Sequence, residues 1–299
     1  MRIAGLVCGA AALIAGGCVY HHEIKRTPEA EPELAAAKVA PQSERATIAD
    51  SDQFMMRSKI TGGDFVIQVA KPILTGPPPP DQKWAVTYVL DGTYLFGMMT
   101  PTARLLPFER SAQATYVVGV GFPEEAFMAY GARRGRDLIH PAQPNGSPTA
   151  QGGGGASLER FLKEELRPLI ESRYPVDGAR SVLAGHSLGG LFTATVLAND
   201  PNAFAGYMIG SPSMQFDAAL AERVSGVAAQ GRGRVFIGVG AGEGPMVDRA
   251  DTLEAALKAA GSGFVVARKT FADETHVSSQ GAWMSAGLRH VLSPAAGAQ

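Results

Sequence analysis

Apolar and polar positions alternate over Phe54–Ile60 and again over Asp64–Lys71, with Thr61-Gly62-Gly63 between them. That pattern predicts two successive strands joined by a hairpin-like turn. Six short apolar runs follow at Trp84–Leu90, Ala114–Val120, Ser181–Ala184, Phe204–Ile209, Arg234–Val239 and Phe264–Lys269, and each reads as a buried strand. Between them lie helical patterns. Tyr94–Leu106 is apolar enough for a helix that Pro101 should bend or split. Ser157–Arg173 places Leu158, Phe161, Leu162, Leu166, Leu169 and Ile170 at helical spacing, with Pro168 expected to kink its last turns. Leu191–Ala198, Asp248–Ala260 and Gln280–Leu292 complete the helices, and residues 131–155 read as a long loop. Strands alternating with helices predict an α/β architecture: a mostly parallel central sheet flanked by helices on both faces, with functional loops at the carboxyl ends of the strands.

The chain has 299 residues, 45% of them hydrophobic and 18% charged, with a formal net charge of -1. Its length is near the upper limit for one hydrophobic core, and its charge balance offers no basic excess for nucleic acid. The two cysteines, Cys8 and Cys18, both precede the predicted strands, which excludes a disulfide framework or a thiol nucleophile in the body. Met1-Arg2 followed by the uncharged run Ile3–Gly17 has the form of an export signal, too short to span a membrane. Ala15-Gly16-Gly17-Cys18 resembles the processing site of bacterial lipoproteins, with Cys18 as the acylated residue. The alternative is an ordinary cleaved signal that happens to contain a cysteine. Residues 18–45, rich in Pro, Ala and Glu, read as a flexible or lipid-anchored linker. The organisation expected is therefore a signal peptide over 1–17, a linker over 18–45 and a catalytic body over 46–299. Such a protein would be exported, periplasmic or held at the outer membrane by its lipid alone.

Gly185-His186-Ser187-Leu188-Gly189 is the chain's one G-x-S-x-G pattern, entered by an apolar strand and left by an apolar helix. That context sets the serine on a sharp turn with its hydroxyl above the sheet. A serine hydroxyl needs a base, an orienting acid and an oxyanion hole. His276 and His290 are the histidines that follow Ser187. His276 lies in a polar loop after the last strand, where the base belongs, whereas His290 sits late in an apolar helix. His186, on the turn itself, is poorly placed to reach the Ser187 hydroxyl. Glu243, in the Gly-rich loop after Arg234–Val239, leads as the acid; Asp248, Asp273 and Glu274 are alternatives. The oxyanion donors expected are the backbone N–H of Leu188 and that of Gly92, in the loop after Trp84–Leu90. Arg133 and Arg134 are candidates for an anionic substrate, against the alternative of a solvated loop or of pairing with Asp137 and nearby Glu; Arg136 next to Asp137 reads as structural.

Val89-Leu90-Asp91-Gly92, Val118–Gly121, Arg136-Asp137-Leu138, Arg173-Tyr174-Pro175, Gly185–Gly190, Ser211-Pro212-Ser213 and Glu274-Thr275-His276 occur in this order. Over residues 50–292 the chain thereby resembles the esterase-D-like branch of the α/β-hydrolases, which includes trilactone siderophore esterases. The resemblance implies an α/β-hydrolase fold and hydrolysis of carboxylic esters without metal or organic cofactor. It also implies a small-molecule ester as partner, with a siderophore lactone or ferric siderophore among the candidates. Some members work with a Ser–His pair and no strong acid, so triad and dyad both stand for Ser187, His276 and Glu243. Acyl transfer to another acceptor on the same residues, or ligand binding without catalysis, are the rival classes.

Overall fold

The computed structural model describes residues 47–74, 76–140, 152–259 and 261–294. The expected signal, linker and Cys18 lie outside them. Eight strands form one sheet: β1 (Ser51–Arg57), β2 (Asp64–Ala70), β3 (Trp84–Leu90), β4 (Thr115–Gly121), β5 (Val176–His186), β6 (Gly206–Gly210), β7 (Gly233–Gly240) and β8 (Phe264–Phe271). Their spatial order is β1-β2-β4-β3-β5-β6-β7-β8. β1 and β2 pair antiparallel with Ser51 opposite Ala70, and β2 meets β4 antiparallel. Every pairing from β4 through β8 is parallel. This is the α/β-hydrolase architecture.

The helices are α1 (Gly92–Leu105), α2 (Phe127–Asp137), α3 (Gly155–Arg160), α4 (Arg167–Arg173), α5 (Leu188–Asn199), α6 (Leu220–Val227), α7 (Pro245–Leu257) and α8 (Gln280–Val291). Successive residues of a strand point to opposite faces, so the sheet builds two cores at once. On one face Val89, Ala184, Met208 and Phe236 meet Leu95, Phe96 and Met99 of α1 and Trp283, Met284 and Leu288 of α8. On the other, Tyr88, Leu183, Ile209 and Ile237 share a cluster with Leu191, Phe192 and Val196 of α5 and Leu253 and Leu257 of α7. Helix α5 is buried almost all round, which explains its uniformly apolar sequence.

Three expectations are corrected. Pro101 does not split α1, which runs unbroken through it. Pro101 is on the exposed side, where the carbonyl it leaves without a donor can meet water, while Leu95, Phe96, Met99 and Ala103 hold the opposite face in the core. The segment read as a loop over 131–155 begins inside α2, which carries Arg133, Arg134 and Arg136. Its sequence has two glycines and few apolar residues, so helix periodicity is faint there. What holds it is the burial of Tyr130 and Asp137. The Ser157–Arg173 helix is present, but its break comes ahead of Pro168, as a wider π-helical turn over Phe161–Leu166. Pro168 has no N–H to give to the turn before it, and it is accommodated in the first turn of α4. Helix α6 had no counterpart among the expected elements.

Candidate active site

Two neighbouring parallel strands position the centre of the site. β3 and β5 run side by side with Val89 opposite Ala184, so their ends, Asp91-Gly92 and His186-Ser187, emerge together. Ser187 has φ 62° and ψ -118°, a left-handed conformation that a residue with a Cβ rarely adopts. The turn is held by the Ser187 N–H donating to Gly210 O at 2.9 Å and the Ser213 N–H donating to Ser187 O at 3.1 Å. Gly185 is required for steric reasons: a Cβ there would stand 2.2 Å from Gly189 O. A Cβ on Gly189 would meet the Asp91 carboxylate at 3.4 Å, so that glycine is under less constraint.

Leu188 and Gly92 occupy the first positions of α5 and α1, where a backbone N–H has no partner within its own helix. Gly92 sits against β4 so closely that a Cβ would fall 2.6 Å from Val120 N. Two helix starts with unused donors thus flank the Ser187 turn.

On the far side, the Glu243 side chain is 2% exposed and accepts three hydrogen bonds. Oε1 receives the Ser211 hydroxyl at 2.7 Å and the Gly240 N–H at 2.6 Å. Oε2 lies 2.6 Å from His276 Nδ1. A carboxylate can only accept, so this contact places the imidazole proton on Nδ1 and leaves Nε2 with its lone pair. Among the acids considered, Glu243 is the one that reaches His276: Asp248 falls in the first turn of α7, and Glu274 contributes a backbone carbonyl to the Gly242 N–H. His290 is on the last turn of α8 with Nε2 2.9 Å from Val265 O, outside the site.

The Ser187 hydroxyl is 3.3 Å from Ser213 Oγ and makes no hydrogen bond to His276 here. Both side chains face one cleft of about 530 Å³, whose wall includes Tyr94, Phe127, Tyr130, Arg134 and Val277. Catalytic contacts of this kind commonly tighten only around substrate. His186 is 2% exposed, with its ring 4.9 Å from that of His276 and 5.7 Å from Trp283. Burial, with smaller contributions from His276 and Arg134, pushes its imidazole down to about 3, so it stays neutral and packs.

The arginines expected at the substrate have other partners. Arg133 points away from the cleft. Its guanidinium pairs with Asp137, lies 3.3 Å from Glu124 Oε1, and sits over the adjoining rings of Phe65 and Phe122 at 5.2 and 5.1 Å. Arg134 does line the cleft, but its Nε donates to Asp91 Oδ1 at 2.7 Å and its Nη2 to His186 O at 3.1 Å. Tyr130 adds a hydroxyl donation to the same Asp91 oxygen at 3.2 Å; burial and then the Asp91 charge push its phenol well above the usual range. Ser211 and Ser213 carry contacts that the sequence showed only as part of a family motif. Their position straight after an apolar strand was the available signal.

The family model described as "Putative esterase" matches residues 58–283. The chain belongs to this esterase family. It is 34% identical over 181 residues to the ferri-bacillibactin esterase BesA of Bacillus subtilis, covering 57% of this chain and 61% of that protein. It is 31% identical over 176 residues to the siderophore triacetylfusarinine C esterase of Aspergillus fumigatus, covering 56% of this chain and 57% of that one. The matches thus span less than two thirds of these relatives' length. The BES protein from Bacillus cereus has a similar structure, with a TM-score of 0.74 at 28% identity, over 84% of this chain and 97% of that one.

Proposed function

We propose that this esterase-family member hydrolyses carboxylic esters through an acyl-serine intermediate on Ser187. The observation that carries the reading is the Glu243–His276 contact of 2.6 Å, which leaves Nε2 as a base in the cleft that Ser187 shares. Ser187 Oγ attacks the ester carbonyl carbon as its proton passes to His276 Nε2. The N–H groups of Leu188 and Gly92 take the oxyanion. The same proton then goes from Nε2 to the departing alkoxide, which leaves as an alcohol. Water repeats the sequence on the acyl-serine, giving a carboxylic acid and restoring the hydroxyl.

The activities of the Bacillus and Aspergillus relatives, both siderophore esterases, support a siderophore ester as the substrate class. The run Ile3–Gly17 and Cys18 support an exported, lipid-anchored protein. The direct test is a fluorophosphonate probe together with hydrolysis of a panel running from 4-nitrophenyl acetate to catecholate trilactones. Labelling and hydrolysis in the wild type, both lost in Ser187→Ala, are expected. Equal labelling of the two proteins would remove the serine mechanism.

A further inference from the structure

The cleft beside Ser187 is rimmed by large apolar side chains left in water. Phe127 is 77% exposed and Val277 69%, and Tyr94 is 51% exposed with its ring edge-on to Tyr130 at 4.7 Å. Met128, next to Phe127, is 80% exposed. Exposed apolar groups gathered around a concave site mark a surface that something apolar covers. Here the site's own chemistry names the occupant, an ester bound with its carbonyl at Ser187.

Charge narrows that class. Among the described residues lining the cleft, Arg134 is the one arginine or lysine. Its charge is matched by Asp91, which is itself buried. Arg133 is enclosed against Phe65 and Phe122 on the other side of α2. A polyanionic ester entering this cleft would give up water and meet the Asp91 carboxylate, with no cation among the described lining residues that is not already paired.

We infer that the cleft selects esters whose acyl portion carries aromatic groups without net charge, and discriminates against polyanionic esters such as a trianionic ferric tris-catecholate. The inference rests on the ester-hydrolase reading above. It narrows the siderophore reading to the iron-free, uncharged form, with Phe127, Tyr94 and Val277 as the selecting surface.

The test uses the full chain and three 4-nitrophenyl esters: the acetate, the 3-phenylpropanoate and its ring-sulfonated analogue. The uncharged aryl ester is expected to exceed the sulfonated one in kcat/KM by about 100-fold, the scale set by placing like charges together in a desolvated site. Equal rates, or faster cleavage of the sulfonated ester, would overturn the inference while leaving the hydrolase reading intact. So would a ferric tris-catecholate trilactone hydrolysed as fast as its iron-free form. Failure to cleave any of the three esters would instead sink the hydrolase reading, and this inference with it. Phe127 is exposed, so Phe127→Ser should fold; it is expected to raise KM for the phenylpropanoate about tenfold and for the acetate less than threefold, the scale of losing one apolar contact. Equal increases on both esters would overturn the role given to the aromatic rim.

Discussion

Arg134 and Asp91 form an ion pair across the mouth of the site, Nε to Oδ1 at 2.7 Å, and the same guanidinium reaches the His186 carbonyl at 3.1 Å. Asp91 immediately precedes Gly92, and His186 immediately precedes Ser187. One side chain on α2 therefore ties together the two turns assigned to the oxyanion hole and the nucleophile. Both turns contain a residue at positive φ, 55° at Asp91 and 62° at Ser187, so each needs outside contacts to keep its shape. Burial works against the charged guanidinium, but Asp91 outweighs it and raises the Arg134 pKa.

Arg134 is accordingly a positioning residue. Arg134→Lys keeps the charge but cannot span both partners. It is expected to lower kcat on 4-nitrophenyl acetate about 100-fold, the cost of a misplacement near 1 Å, with KM within threefold. Added guanidinium should partly restore kcat in Arg134→Ala. A loss confined to KM, or no rescue, would assign Arg134 to substrate binding or to folding alone.

Glu243→Gln tests the acid. The amide can still accept from Ser211 and Gly240 through its oxygen, but its nitrogen then faces His276 Nδ1 and favours the tautomer with the proton on Nε2. The base is then blocked, and kcat should fall by about 10⁴, as for the equivalent change in a Ser-His-Asp triad. A loss under about tenfold, worth only ~1.4 kcal/mol of barrier, would mean a Ser–His dyad.

Strain at the nucleophile is separable from its chemistry. Ser187→Gly and Ser187→Ala both remove the hydroxyl, yet only glycine accepts φ 62° and ψ -118° without penalty. The glycine variant is expected to be the more stable by about 1 kcal/mol, the lower end of the usual cost of such a conformation. Urea unfolding midpoints read the difference, and equal midpoints would show that the turn holds no strain.

His186 should make the fold acid-sensitive. Its imidazole is pushed down to about 3 in the folded protein against 6.5 as a free side chain. Between those values the unfolded chain binds a proton that the folded chain does not, so stability falls as pH falls from about 6.5 toward 3. The slope from this one group is about 1.4 kcal/mol per pH unit, or roughly 2 kcal/mol between pH 7 and pH 5. His186→Gln should flatten the change in unfolding free energy by that amount. An identical pH dependence in the two proteins would remove His186 as the cause.

The amino terminus has its own test. Mass spectrometry of the protein from a bacterial host should find a diacylated or triacylated Cys18 as the first residue. An unmodified terminus beyond Cys18 would leave export without the anchor.

Much of this molecule was legible along the chain because its signals are local. Strands β3, β4, β6 and β7 and the second half of β5 are largely buried on both faces and appear as apolar runs, and Gly185–Gly189 can be recognised because a strand enters it and a helix leaves it. His276 and Glu243, which the fold brings into contact, were singled out by their places after successive strands. Helix α2 was missed because its polar, glycine-containing sequence lacks periodicity, and what ties it to the rest of the fold is Tyr130 and Arg134 reaching Asp91, far away in sequence.

What the sequence by itself determined is the alternation that makes a parallel sheet, the turn that bears Ser187, and the chain order of the candidates Ser187, Glu243 and His276. Each follows from steric and hydrophobic patterns within a few residues of one another. Only the tertiary structure chose Glu243 over Asp273 and Glu274, although these are closer to His276 in sequence, because the end of β7 brings the Glu243 carboxylate within 2.6 Å of the imidazole. Only the tertiary structure, too, paired Arg134 with Asp91, 43 residues away in sequence. A guanidinium's role is set by the nearest carboxylate in space, and strand order and helix packing decide which carboxylate that is.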